Sequence, residues 1–146
     1  MKVKDLMRTN VVSLHIGDTL GVAEDIMSMG RIRHLPVVDE EQRVVGLVSQ
    51  RDLFRASVSS VLGFDRAKEH EWLGAIKVRD IMTTPVVTVD AEAGVAEAVD
   101  KCVADKIGCL PVADAQGKLV GLVTETDCLR CLRDLLKLGT FKEFLS

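Results

Sequence analysis

Leu35-Pro36-Val37-Val38-Asp39, followed by Val45-Gly46-Leu47-Val48-Ser49-Gln50-Arg51-Asp52, returns later in the chain as Leu110-Pro111-Val112-Ala113-Asp114 and Val120-Gly121-Leu122-Val123-Thr124-Glu125-Thr126-Asp127. The offset is 75 residues in both cases, and it holds without a gap when residues 3–57 are laid on residues 78–132. Nineteen of those fifty-five positions are identical. They include Val3, Asp5 and Met7 on Val78, Asp80 and Met82, Val11-Val12 on Val86-Val87, and Arg55 on Arg130. A self-match of this length means two copies of one supersecondary unit.

Working outward from these runs, each copy reads as β-α-β-β-α. A β-branched run opens it, Val11 to Leu14 or Val86 to Val89. Apolar residues at helical spacing follow, Leu20, Ala23, Ile26 and Met27 behind Asp18 as N-cap, matched by Val95, Ala98, Val99 and Cys102. Two strands come next, Leu35 to Val38 and Val44 to Ser49, joined by a polar turn; their counterparts are Leu110 to Ala113 and Leu119 to Thr124. A last helix begins near Ser49 or Thr124. The first passage implies a parallel right-handed crossover and the last two strands a hairpin. One such unit has too little core, so the expected fold is α/β, with two β-α-β-β-α repeats packed face to face about a pseudo-two-fold axis. The chain divides into a first repeat (1–57), a helical connector (58–77), a second repeat (78–132) and a helical tail (133–146), the tail broken at Gly139. In the connector, Val61, Leu62, Phe64, Trp72, Leu73 and Ile76 among charges read as an amphipathic packing segment.

Composition narrows the function classes. A 47% hydrophobic content supplies a core without metals or disulfides, and the formal net charge of -3 gives no field to hold a polyanion. Aromatic residues make up 3%, with no Tyr, which argues against base-stacking platforms. No apolar run approaches the ~18 residues of a membrane span, and no apolar signal core follows Met1-Lys2-Val3-Lys4-Asp5. The expectation is a cytoplasmic protein, with no nucleic-acid or membrane partner and with reduced thiols. No activated nucleophile, acid–base pair or G-x-x-x-x-G-K loop can be assembled, so an enzyme is not expected.

The motifs Val3-Lys4-Asp5-Leu6-Met7 with Val78-Arg79-Asp80-Ile81-Met82, the two L-P-V-x-D segments and the two G-L-V-[ST]-x-x-D segments resemble the CBS domain family, whose members usually occur as tandem pairs. The resemblance covers nearly the whole chain apart from connector and tail. It implies a non-catalytic regulatory module that takes an adenine nucleotide, or a related adenosyl ligand, in a cleft between the repeats and needs no other cofactor. It also implies a homodimer acting on an unknown effector protein in trans. Carried over residue by residue, one site pairs Thr124 and Asp127 with Val11, Ile32, Arg33, His34 and Pro36. The other pairs Ser49 and Asp52 with Val86, Ile107, Gly108, Cys109 and Pro111. The Asp gives the ribose a carboxylate and the hydroxyl approaches phosphate. Because Gly108-Cys109 replaces Arg33-His34, the Asp127 site is expected to fill first.

Other readings stand beside these. Ser49-x-x-Asp52 and Thr124-x-x-Asp127 also fit a capping box at a helix start. The clefts could be vestigial, leaving a structural dimerisation module. Cys128-x-x-Cys131, with Cys102 and Cys109, invites a thiol or metal sensor. The repeat speaks against that, since Cys102, Cys128 and Cys131 replace Met27, Leu53 and Ala56 and so read as core thiols. Cys109 stands on the place of His34, a position open to lining a cleft, and is the one thiol singled out for a reactivity test. Gly46 and Gly121, inside apolar strands, predict a bulge or a close approach.

Overall fold

The computed structural model describes residues 1–57, 63 and 65–139. In chain order the elements among them are α1 (Val3–Leu6), β1 (Leu14–His15), α2 (Leu20–Gly30), β2 (His34–Val38), β3 (Val44–Ser49), α3 (Gln50–Ala56), α4 (Arg66–Gly74), α5 (Val78–Ile81), β4 (Val89–Asp90), α6 (Val95–Asp105), β5 (Cys109–Ala113), β6 (Leu119–Thr124) and α7 (Glu125–Lys137). Every element of the first repeat recurs 75 residues later, so the β-α-β-β-α reading holds. Val61, Leu62 and Phe64 of the connector and the end of the tail lie outside the described residues.

Each sheet has three strands, in the orders β1-β2-β3 and β4-β5-β6. The outer pair β1–β2 is parallel, with Leu14 opposite Val37, and β2–β3 is an antiparallel hairpin; β4–β5 and β5–β6 repeat both arrangements. A central strand covered on both faces needs a continuous apolar run, and Leu35-Pro36-Val37-Val38 and Cys109 to Ala113 are buried throughout. Pro36 is tolerated there because β1 pairs only with Val37 and Val38, so Pro36 lies beyond the stretch that a second strand flanks. The first strands are shorter than the sequence predicts, starting at Leu14 and Val89 rather than Val11 and Val86. Leu14 is fully buried whereas Val12 is 45% exposed, so only the end of each β-branched run enters the sheet. Similarly, the N-cap position of α2 is Thr19, whose side chain makes no capping bond, and not Asp18, whose carboxylate instead accepts from the His15 N–H at 2.8 Å. The tail helix ends at Lys137, and Gly139 takes a left-handed conformation (φ 75°) where the sequence places a break.

Two compact units form, and they do not coincide with the sequence repeats. One is Val12–Val86; the other joins Met1–Val11 to the described residues from Val87 on. The leader of each repeat is thus exchanged. In the first of these units, Val78 is fully buried, its N–H donates to Asp18 O at 2.9 Å, and Thr83 exchanges backbone hydrogen bonds with Leu47. In the other, Val3 is fully buried, the N–H groups of Val3 and Lys4 donate to Ala93 O and Ala91 O at 2.9 Å, and Arg8 exchanges two 2.9 Å bonds with Leu122. Lys2 and Lys4 both pair with Glu92. The core of one unit gathers Leu14, Leu20, Met27, Leu35, Val37, Val48, Leu73 and Val78, and that of the other Val3, Val89, Cys102, Leu110, Val112 and Val123.

The close approach foreseen at the strand glycines is real. A Cβ on Gly46 would lie 2.4 Å from Met82 Sδ, and one on Gly121 would lie 2.6 Å from Met7 Sδ and 3.0 Å from Arg8 O. Each glycine also adjoins a bulge, because the register slips between Val37 and Val38 and between Val112 and Ala113. Among the described residues no helix is long and apolar enough to cross a membrane.

Candidate functional site

Both G-L-V-[ST]-x-x-D motifs sit where a hairpin strand turns directly into a helix. At the β3–α3 junction, Ser49 Oγ accepts from the Asp52 N–H at 3.1 Å while Asp52 Oδ2 accepts from the Ser49 N–H at 2.7 Å. At the β6–α7 junction, Thr124 Oγ1 accepts from the Asp127 N–H at 3.3 Å and Asp127 Oδ2 accepts from the Thr124 N–H at 3.0 Å. These are complete capping boxes. The capping reading is therefore satisfied in both copies. In each box a single carboxylate oxygen is used, so a second remains for other chemistry.

That second oxygen distinguishes the two junctions. Asp127 is buried, 5% exposed, and its Oδ1 accepts from Arg8 Nε at 3.1 Å, with Arg8 Nη2 also at 3.1 Å and Arg130 Nη1 at 3.4 Å. Thr124 Oγ1 adds a further bond to Oδ2 at 2.9 Å. Asp52 is half-buried, and among the described residues nothing bonds its Oδ1. Arg8 was not singled out in the sequence, although the alignment of the repeats places it on Thr83 and so marks a difference between the copies.

Hairpin register also decides which groups stand beside each junction within its own unit. His34 is the cross-strand partner of Ser49, and Arg33 O accepts from the Gln50 N–H at 2.8 Å, so Arg33 and His34 flank the Asp52 junction. Pro36 pairs with Leu47 on the same hairpin. In the other unit Cys109 faces Thr124, Gly108 O accepts from the Glu125 N–H at 3.0 Å, and Pro111 pairs with Leu122. The Glu125 carboxylate fills the space beside Gly108, within 3.4 Å of where a side chain would begin. The sequence reading grouped Arg33 and His34 with Asp127 alone; counting back from the hairpin turn would have placed them opposite Ser49 as well. Ile32 and Ile107 pack partly buried against the two cores, and Val11 and Val86 are half-buried in the segments before β1 and β4.

The thiols divide along the lines of the core. Cys102 and Cys109 are buried, and Cys128 packs against the core of its unit. Burial pushes the Cys109 thiol up to about 12, which opposes thiolate formation there. The physical reason is that β5 is the central strand, covered at every position. No group of three or more His, Cys, Asp or Glu side chains with metal-holding geometry occurs among the described residues.

Two hairpin–helix junctions, each capped by a hydroxyl and a carboxylate and repeated in two three-stranded units, define a tandem-repeat α/β protein. The CBS domain profile matches residues 3–59 and 78–134, and the chain belongs to the CBS domain family. It is 34% identical over 135 residues to a CBS domain-containing protein of Dictyostelium discoideum, covering 92% of this chain and 93% of that one. Among solved structures it is similar to CBSX2 in complex with AMP (25% identity, TM-score 0.75, 92% of this chain and 97% of that one). It is likewise similar to the CBS domain pair of protein MJ0100 in complex with 5-methylthioadenosine and S-adenosyl-L-methionine (25% identity, TM-score 0.74, 90% and 99%).

Proposed function

We propose that the protein is a non-catalytic regulatory module whose state is set by an adenosyl ligand, AMP, ADP, ATP or an S-adenosyl compound, and which acts in the cytoplasm on an effector protein in trans. The observation that carries this reading is the paired carboxylate at the start of α3 and α7, each with one oxygen beyond the needs of its helix cap. A carboxylate oxygen at that place accepts the vicinal hydroxyls of a ribose, and the free N–H groups of a helix start favour a phosphate. The complexes of CBSX2 and of protein MJ0100 supply the ligand class. The contacting residues proposed are Thr124 and Asp127 with Val11, Ile32, Arg33, His34 and Pro36, and Ser49 and Asp52 with Val86, Ile107, Gly108, Cys109 and Pro111. Self-association is part of the proposal. Phe54 and Leu129 are repeat counterparts, 78% and 63% exposed on α3 and α7, and offer apolar contact to a second copy.

The test is a thermal-shift series with AMP, ADP, ATP, adenosine, 5-methylthioadenosine and S-adenosylmethionine. A ligand of the right class at about 100 times its Kd stabilises the fold by about 2.7 kcal/mol. The double variant Asp52→Ala/Asp127→Ala, checked for folding by circular dichroism, loses that shift. A melting temperature unmoved by all six compounds would leave a structural dimerisation module as the correct account.

A further inference from the structure

We infer that Arg8 is a built-in latch on Asp127, which reserves the Asp52 junction for the first ligand and makes the Asp127 junction a second site that opens only when Arg8 is displaced. The inference rests on the adenosyl-binding reading above and reverses the order of filling that Arg33 and His34 alone would set.

The argument starts from the lone pairs of one carboxylate. An ionised Asp has about four acceptor positions. On Asp127 they face five contacts: Thr124 N and Oγ1 on Oδ2, and Arg8 Nε, Arg8 Nη2 and Arg130 Nη1 on Oδ1. A ribose diol therefore finds no vacant acceptor. It must displace a guanidinium, and a neutral hydroxyl donor brings no opposite charge to replace the one removed. Asp127 is 5% exposed and the Arg8 side chain 54% exposed, so the guanidinium covers the carboxylate from the solvent side and can be displaced from there.

Arg8 is held in place for this task. Its backbone exchanges two hydrogen bonds with Leu122, and its carbonyl rests against Gly121, whose missing side chain makes room for the Met7–Arg8 segment. The other copy shows the same site without the latch. Thr83 holds the corresponding backbone position on Leu47, and its side chain lacks the reach and the charge of Arg8. Arg55, the counterpart of Arg130, makes no ion pair with Asp52. The neighbours sharpen the contrast: Glu125 stands beside Gly108 at the Asp127 junction, whereas Gln50, Arg33 and His34 flank the Asp52 junction. A phosphate approaching the Asp127 junction thus meets a carboxylate that the Asp52 junction, with Gln50 in that place, does not present.

The experiment is isothermal titration of the full chain with AMP. Asp52→Asn, which keeps an oxygen for the Ser49 cap, isolates the latched junction; Asp127→Asn isolates the open one. Asp52→Asn is expected to weaken binding at least tenfold, and adding Arg8→Thr to it to restore at least tenfold of affinity. Grafting the latch, Thr83→Arg with Asp127→Asn, is expected to cost the open junction at least tenfold relative to Asp127→Asn alone. Circular dichroism and melting curves verify that each variant folds. If AMP binds the wild type but Asp52→Asn binds as well as wild type, or Arg8→Thr brings no gain in that background, the latch is overturned and the adenosyl reading stands. If neither wild type nor any Arg8→Thr variant binds AMP, the latch is overturned, and the adenosyl reading falls with it only when the other five compounds also leave the melting temperature unmoved.

Discussion

At the scale of single residues, the two copies solve one backbone problem with different side chains. The hairpin turn between β2 and β3 needs a left-handed residue, supplied by Gln42 at φ 64°, while the matching turn between β5 and β6 uses Gly117 at φ 83°. In both, an Asp side chain organises the turn, Asp39 accepting from the N–H groups of Glu41 and Arg43, and Asp114 from those of Gln116 and Lys118. A residue with a Cβ pays roughly 1–2 kcal/mol in the left-handed region, part of which glycine returns through its greater unfolded-state freedom. Gln42→Gly is accordingly expected to raise stability by up to about 1 kcal/mol, measured by urea unfolding. The strand glycines were legible because an apolar strand rarely tolerates them without a reason, and Met82 and Met7 are that reason. The burial of Cys109 was not legible in the same way. Its counterpart His34 is only half-buried, and nothing in a local sequence comparison shows that burial differs between the two copies.

At the scale of elements, α1 is four residues long, too short to stand without its contacts. Those contacts are the buried Val3, two backbone hydrogen bonds to the segment before α6, and the exposed cluster of Lys2 and Lys4 on Glu92. Hydrogen bonds from Lys2 and then Lys4 hold the Glu92 carboxyl down at about 2, against an ordinary 4.5. The folded state therefore binds this proton less readily than the unfolded chain. The resulting stabilisation is present above pH 4.5 and is lost as pH falls towards 2. Glu92→Gln is expected to lower the melting temperature by a small, constant amount from pH 7 to pH 5, with the difference from wild type vanishing between 4.5 and 2 in a pH series of melting curves. The sequence located the strands and the two longer helices of each repeat by type but assigned no element to α1 or α5. Its errors lay at the ends, at Thr19 for Asp18 and in the short first strands, where a tertiary partner rather than local pattern decides where pairing stops.

At the scale of the whole chain, the repeat was readable and the exchange of leaders was not. Val3-x-Asp5-x-Met7 and Val78-x-Asp80-x-Met82 are close to interchangeable, so periodicity alone cannot say which sheet each one covers. The same ambiguity hid Arg8 from the Asp127 junction, 119 residues away in sequence. The exchange predicts where a small truncation is felt. Val3→Ala, in a fully buried position, is expected to cost about 2 kcal/mol and Val12→Ala, at a 45% exposed one, close to nothing. Hydrogen-exchange mass spectrometry should locate the lost protection of Val3→Ala in β5 and β6 and leave β2 and β3 unchanged.

A discontinuous unit also has a history as the ribosome delivers it. Residues Val12–Val86 emerge as one uninterrupted stretch and can settle while translation continues, whereas Met1–Val11, made before them, must wait for β6 before finding a surface to cover. A segment translated early is thus among the last parts to reach its native place.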